Sequence, residues 1–284
     1  MLERALPSFS ASNDWLKAAF HEIGGLVREG ESLELHGAAP AWVAALLMHG
    51  STASMSQYLT NYSALSTRFE GFAALRRGLW ALRNSSTIER CVERAEPLSG
   101  FKATIRSNAN RVLTPNAYSR DYLPPNPEAA RDASMQIFRL RAQWGSKGNR
   151  ATALALSTYT TFLTVHPFVD GNGRTFRMLL AADSMGVGRC NPHPALATFL
   201  LKSQQSLPFH ISAKCARAGD FNMLAHCYHS SLAFTCSTLS PLLRSLDRIP
   251  PGEHREQVRW AEEIFALVFE ALNQGNSRVG LFTS

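Results

Sequence analysis

The stretch HPFVDGNGRTFR, which covers residues 166–177, combines a histidine, an acid, an amide, two glycines and two arginines. The apolar residues 159–165 precede it and the apolar residues 178–182 follow it, which predicts a helix, a tight loop and a second helix. Gly171 and Gly173 permit positive φ values, so the loop can turn its backbone N–H groups inward. Because these groups stand at the start of the second helix, whose dipole favours negative charge, the stretch predicts an anion site.

The side chains of this stretch indicate which anion would bind there. Arg174 and Arg177 are three positions apart, so they share one face of the second helix and suit a polyphosphate. Asp170 offers the hard oxygen ligand preferred by a Mg²⁺ ion that bridges phosphates. His166 can accept a proton near neutral pH. Taken singly, these residue types are typical of helix caps and solvated faces, and it is their common register that favours a functional site.

The same stretch resembles the signature of the Fic family, HPFx(D/E)GNGRxxR, at every fixed position. The resemblance implies an all-α protein, a Fic-type helical bundle with a small β-hairpin flap next to the active-site loop. It also implies an adenylyltransferase that moves AMP from ATP to a Ser, Thr or Tyr hydroxyl of a target protein. His166 would be the general base, and Asp170 would hold Mg²⁺ between the α- and β-phosphates. The other implied roles concern the phosphates: Gly171, Asn172 and Gly173 line them, Arg174 neutralises them and Arg177 holds the γ-phosphate.

Two phenylalanines of the stretch bear on packing rather than chemistry. Phe168 is expected to anchor the loop in the core. Phe176 stands between the arginines, where many members of the family have glycine, so the local packing there is expected to differ.

An inhibitory helix is the second feature that the resemblance implies. Ser66, Glu70 and Gly71 fit the pattern (S/T)xxxE(G/N), in which the glutamate pairs with the second motif arginine, here Arg177. Such a pair would occupy the guanidinium that the γ-phosphate needs. Glu89 lies in a weaker second match. A solvent-facing Glu70 is the plain alternative, and a Glu70 that orients a water for removal of AMP is another role known in the family.

Residues 101–122 lack helical periodicity and are rich in Asn, Ser, Thr and Pro. They contain candidate strands at 103–105 and 111–113. The segment resembles the Fic flap, which holds an extended segment of the target protein by main-chain hydrogen bonds. An ordinary long loop is the alternative.

The remaining pattern predicts amphipathic helices and three regions. Helices are expected at residues 72–83, 127–144 and 150–165. We divide the chain into three parts: residues 1–94 form an N-terminal helical region with the candidate inhibitory helix, 95–245 the catalytic core, and 246–284 a C-terminal helix packed on that core.

Composition narrows the choice of partners. The chain has 284 residues and a formal net charge of +7, which favours an acidic partner such as ATP. The basic residues are scattered, so nucleic-acid binding is not expected. Five cysteines without a CxxC pair, no signal sequence and no long apolar run predict a cytoplasmic protein without a membrane partner. Delivery into a host cell as a secreted effector remains open.

Two further functions remain open. A Fic-type transferase could use another donor, such as UTP, GTP or a CDP-linked group, or could act like the kinase-type Doc subgroup. The fold could also serve a non-catalytic, regulatory protein, although the intact His166 argues against this.

Overall fold

The computed structural model describes eleven α-helices and the loops between most of them. It covers residues 21–23, 25–26, 39–48, 55–68, 72–109, 123–144, 149–184, 193–203, 206–217, 219–248 and single residues between 255 and 266. In chain order the helices are α1 (Ala39–Met48), α2 (Met55–Ser66), α3 (Phe72–Arg83), α4 (Ile88–Ser99), α5 (Pro127–Trp144), α6 (Asn149–Val165), α7 (Asn172–Ser184), α8 (His193–Ser203), α9 (Ser206–Arg217), α10 (Asn222–Phe234) and α11 (Ser240–Asp247). A π-helical turn, Thr235–Leu239, joins the last two.

The predicted all-α fold class is confirmed by these helices. Within the described ranges the chain forms no β-strand, and one antiparallel bridge joins Ile105 to Phe168. This bridge falls in the first candidate strand of the predicted flap, residues 103–105. The second candidate strand, residues 111–113, lies outside the described residues, so the hairpin remains a prediction.

Helix α3 shows why the periodic segments could be recognised from sequence. Its buried residues Phe72, Leu75, Leu79 and Leu82 follow the spacing of one helical face, and the helix begins and ends at the predicted residues. Helix α5 also has its predicted bounds, and α6 begins one residue earlier than expected.

Helix α7, which carries the two motif arginines, lies at the centre of the packing. It contacts α1, α3, α4, α6 and α8, and most of its residues are buried. Helix α1 is buried along its whole length, including Trp42. One hydrophobic core extends from Ile23 to Leu246, so the N-terminal helices and the motif helices share it. None of the described helices is long and apolar enough to cross a bilayer.

Candidate active site

The loop between α6 and α7, residues 166–171, is bounded by two residues with positive φ. Gly171 has φ +87°, immediately before α7 begins. His166 has φ +50°, a conformation that costs an L-residue free energy. The α6 helix ends at Val165, so the chain leaves the helix at the histidine itself.

Asn172 closes this loop with its side-chain amide. Its Nδ2 donates to the carbonyl of Phe168 over 2.9 Å, and its Oδ1 accepts from the Phe168 N–H over 3.0 Å. Asn172 is 3% exposed, so both bonds lie away from water. The side chain therefore fixes the loop, and its backbone N–H stands at the start of α7.

Three stacked phenylalanines hold the loop in the core. Phe176 lies parallel to Phe162, with ring centroids 4.2 Å apart, and near-parallel to Phe168 at 5.2 Å. All three are fully buried, and burial of such a ring contributes about 1.5–3 kcal/mol. Phe168 thus anchors the loop as the sequence predicts, and the unusual Phe176 supplies the ring between the other two.

The segment 104–106 runs antiparallel to the loop and is bonded to it through the main chain. The N–H of Arg106 donates to the carbonyl of Pro167 over 3.0 Å, and the N–H of Val169 donates to the carbonyl of Thr104 over 2.9 Å. The start of the predicted flap is therefore attached directly to the motif loop.

The imidazole of His166 is partly buried, and its environment favours the neutral ring. Burial lowers its pKa from the ordinary value, and the charge of Arg106 lowers it further. A hydrogen bond to the Leu163 carbonyl and the charge of Asp170 act in the opposite direction without reversing the shift. A neutral imidazole has one ring nitrogen that can accept a proton.

Asp170 and Arg174 form an ion pair at the mouth of the loop. The Arg174 Nη2 lies 2.6 Å from the Asp170 carboxylate, and the side chains are 30% and 73% exposed, respectively. The Asp170 carboxylate also accepts the N–H of Gly171 over 2.6 Å. The Arg174 guanidinium stacks over the ring of Phe101, 3.8 Å from its centroid.

Arg177 is placed differently from Arg174, because its side chain is only 1% exposed. Its Nε donates to the carbonyl of Leu47 over 3.2 Å and its Nη2 to the carbonyl of Met48 over 3.4 Å. These carbonyls belong to the last turn of α1, the negative end of that helix. Tyr159 of α6 also bonds to the guanidinium, and burial lowers the pKa of Arg177.

Comparison with known proteins gives one family match. Residues 93–182, from α4 through most of α7, match the family model of the Fic/DOC family. Over these residues the chain is similar to that family. The fold also resembles the crystal structure of a Fic family protein from Desulfovibrio desulfuricans G20, with a TM-score of 0.52 and 14% sequence identity over 78% of this chain and 74% of that one. No curated protein matches the sequence.

The loop at residues 166–171 offers the carboxylate of Asp170 for a metal ion. Among the described residues there is no group of three or more His, Cys, Asp or Glu side chains that could hold one. Mg²⁺ keeps several waters and is often bound through one or two carboxylates together with substrate phosphates. The exposed carboxylate of Asp170 fits that mode of binding, and Asp170 would be the residue that holds the ion.

The predicted inhibitory residues lie partly outside the described chain. Glu70 and Gly71 fall there, so the Glu70–Arg177 pair remains a prediction. Ser66 ends α2 and donates to the carbonyl of Ser63 over 2.9 Å. Glu89, the weaker candidate, lies in the first turn of α4 and pairs with Arg131 of α5 at 2.9 Å.

Three residues within the matched segment 93–182 take part in this site although the sequence did not reveal them. They are Phe101 under Arg174, Tyr159 beside Arg177, and Arg106 against the histidine loop. Phe101 and Arg106 belong to an aperiodic segment, and Tyr159 belongs to a helix that is apolar on most faces. No local sequence pattern indicates these contacts, because they join residues that are far apart in the chain.

Proposed function

We propose that this protein transfers AMP from ATP to a hydroxyl side chain of a target protein. The observation that carries the proposal is that the partly exposed His166 stands on the same short loop as Asp170, whose ion pair with Arg174 lies where phosphate charge would be neutralised. Burial lowers the pKa of His166, and this favours a neutral imidazole that can accept a proton at neutral pH.

In the proposed reaction the target oxygen attacks the α-phosphorus of ATP. The bond from that phosphorus to the pyrophosphate group breaks, and the hydroxyl proton passes to His166. The N–H groups at the start of α7, from Gly171 to Gly173, and the guanidinium of Arg174 bind the phosphates. Mg²⁺, which Asp170 would hold, would neutralise part of the phosphate charge. The segment around 101–122 would align the target as an added strand.

The contacts of Arg177 suggest how AMP transfer could be regulated. Its guanidinium donates to the last carbonyls of α1, so a γ-phosphate would compete with those acceptors for it. An anion is the stronger acceptor for a guanidinium, which makes such an exchange favourable when nucleotide is present. We propose that Glu70, if it reaches Arg177, competes with the γ-phosphate in the same way and so limits activity.

A CDP-linked donor, which has no γ-phosphate, is the second candidate, and the burial of Arg177 favours it. Such a donor would need the loop, Asp170 and Arg174 but not Arg177. Label in the transferred group of a CDP-linked donor tests this candidate, and ATP labelled at the α-phosphate or at the γ-phosphate separates AMP transfer from kinase-type transfer.

The test uses the purified chain with Mg²⁺ and either labelled ATP, scored for label on protein. We expect label from the α-phosphate only, its loss in His166→Ala, and an increase in Glu70→Gly. Equal labelling of wild type and Glu70→Gly would contradict inhibition by Glu70 but keep the transferase. Label from the γ-phosphate alone, or unchanged labelling of His166→Ala, would overturn the proposed function.

A further inference from the structure

Arg106 is a buried arginine whose guanidinium serves the main chain of other segments. It is 4% exposed. Its Nε donates to the carbonyl of His166 over 2.8 Å and its Nη2 contacts the carbonyl of Val165 at 3.5 Å. Further bonds reach the carbonyls of Asn108 and Pro125. A buried guanidinium is tolerated only when such bonds replace its lost hydration, so the environment fixes its position.

The carbonyl that Arg106 holds belongs to the residue with the least favourable backbone of the loop. His166 has φ +50°, and the next residue, Pro167, disfavours the right-handed helical conformation before it. The competing state for His166 is therefore the extended one. Rotation to that state would turn both its carbonyl and its imidazole to new directions.

The main chain of the same segment reinforces this contact. Arg106 N–H donates to the carbonyl of Pro167 over 3.0 Å, so backbone and side chain of one residue bond to both sides of the His166–Pro167 peptide.

We propose that Arg106 is a positioning residue: by holding the His166 carbonyl it keeps the histidine left-handed and directs its imidazole to the face where the target hydroxyl would lie. This inference deepens the proposed function and rests on it for its effect on rate. The effect on the conformation of His166 stands independently of any activity.

Among the described residues, the charged groups that act on the imidazole are Arg106 and Asp170. The conservative variant Arg106→Lys keeps the positive charge but cannot reach several carbonyls at once. The variant therefore tests the hydrogen bond from Arg106 to the His166 carbonyl, while the positive charge near the imidazole is kept.

Arg141 offers a matched control. It is another buried arginine that donates to main-chain carbonyls, those of Ser85 and Arg83, and it also pairs with Asp183. It lies on α5, and its partner Asp183 is at the end of α7 opposite to the motif loop. Arg141→Lys should lower stability in the same manner without changing His166.

The experiment records NMR spectra of the full chain with ¹³C-labelled histidine, in wild type, Arg106→Lys and Arg141→Lys. The signal of His166 among the nine histidines is assigned by its loss in His166→Gln. We expect Arg106→Lys to shift or broaden the His166 signal and to leave the other histidines in place, and Arg141→Lys to leave it unchanged. An unchanged His166 signal in folded Arg106→Lys would overturn the proposal.

A wild-type measurement decides the matter if Arg106→Lys does not fold. The backbone coupling constant of His166 reports its φ angle. A φ in the extended region in the wild type would contradict the role proposed for Arg106, whereas a φ in the left-handed region supports it. Where AMP transfer occurs, we expect Arg106→Lys to lower kcat by about 100-fold with the KM for ATP little changed. A chain without transfer activity would refute the proposed function and leave the NMR result to judge Arg106.

Discussion

The guanidinium of Arg177 donates a hydrogen bond of 3.2 Å to the carbonyl of Leu47, and thereby joins the motif helix α7 to the last turn of α1. Leu47 lies 130 residues earlier in the chain. The second motif arginine therefore belongs to the hydrophobic core as well as to the candidate site. The other motif arginine, Arg174, is partly exposed, and its contacts are with Asp170 and the ring of Phe101.

This difference predicts that replacing each arginine by lysine lowers the free energy of unfolding by a different amount. Arg177→Lys should lower the free energy of unfolding by about 2–3 kcal/mol, because the Leu47 and Met48 carbonyls lose donors in a buried place. Arg174→Lys should cost less than about 1 kcal/mol, since its ion pair is exposed to solvent. Urea denaturation measures both, and equal losses would contradict the separate roles.

The lowered pKa of His166 predicts how the rate of AMP transfer depends on pH. Its pKa lies below the ordinary value of about 6.5, mainly because of burial. The rate should therefore rise with pH to a half-maximum below 6.5 and stay level through neutral pH. ATP binding measured over the same range serves as the control, and a half-maximum above pH 7 would contradict the account.

The lowered pKa of His166 also predicts a small pH dependence of the free energy of unfolding. A histidine with a depressed pKa in the folded state binds protons more readily when unfolded, so stability falls as pH drops from about 6.5 through the folded pKa. Above pH 6.5 the effect vanishes. Unfolding of wild type and His166→Gln across this range should differ in slope only at the acidic end.

The side-chain N–H of Asn172 that bonds to the Phe168 carbonyl is expected to stabilise the fold. Asn172→Asp keeps the acceptor for the Phe168 N–H but puts a carboxylate oxygen against the Phe168 carbonyl, which should cost about 1–3 kcal/mol. Asn126→Asp is the control, because its Oδ1 only accepts from the N–H of Ala129 at the start of α5. Thermal unfolding should show a loss in the first variant and none in the second.

Gly171 predicts a loss of both stability and nucleotide binding on substitution by alanine. A Cβ there would lie 2.4 Å from the ring of Phe101, the ring on which Arg174 stacks, and φ is +87°. Gly100→Ala shares the left-handed strain, about 1–2 kcal/mol, but meets only the flexible end of Arg68. Calorimetry with ATP should show weaker binding in Gly171→Ala than in Gly100→Ala.

The sequence predicted those parts of the fold that follow a local pattern. Helices α3 and α5 were predicted at their observed bounds because each has a helical repeat of apolar residues or a clear start at Pro127. Helix α4 was not among the helices predicted from the sequence. It carries Pro97 in its last turn and ends at Gly100, which has φ +68°.

The candidate site divides in the same way. Its loop residues were found because glycines, acid and arginines fall in one short stretch. The partners that fix them, Arg106, Tyr159 and the carbonyl of Leu47, come from distant segments, and only tertiary packing joins them to the loop. The burial of Arg177 follows from that packing and has no local signal.

The central claim, AMP transfer with His166 as the base, is tested most directly by the intact mass of the protein after incubation with ATP and Mg²⁺. The measurement compares Glu70→Gly with the double variant Glu70→Gly, His166→Ala. We expect the first to gain the mass of AMP and the second to gain nothing. A gain of one phosphate, or the same gain of AMP in both variants, would contradict the account.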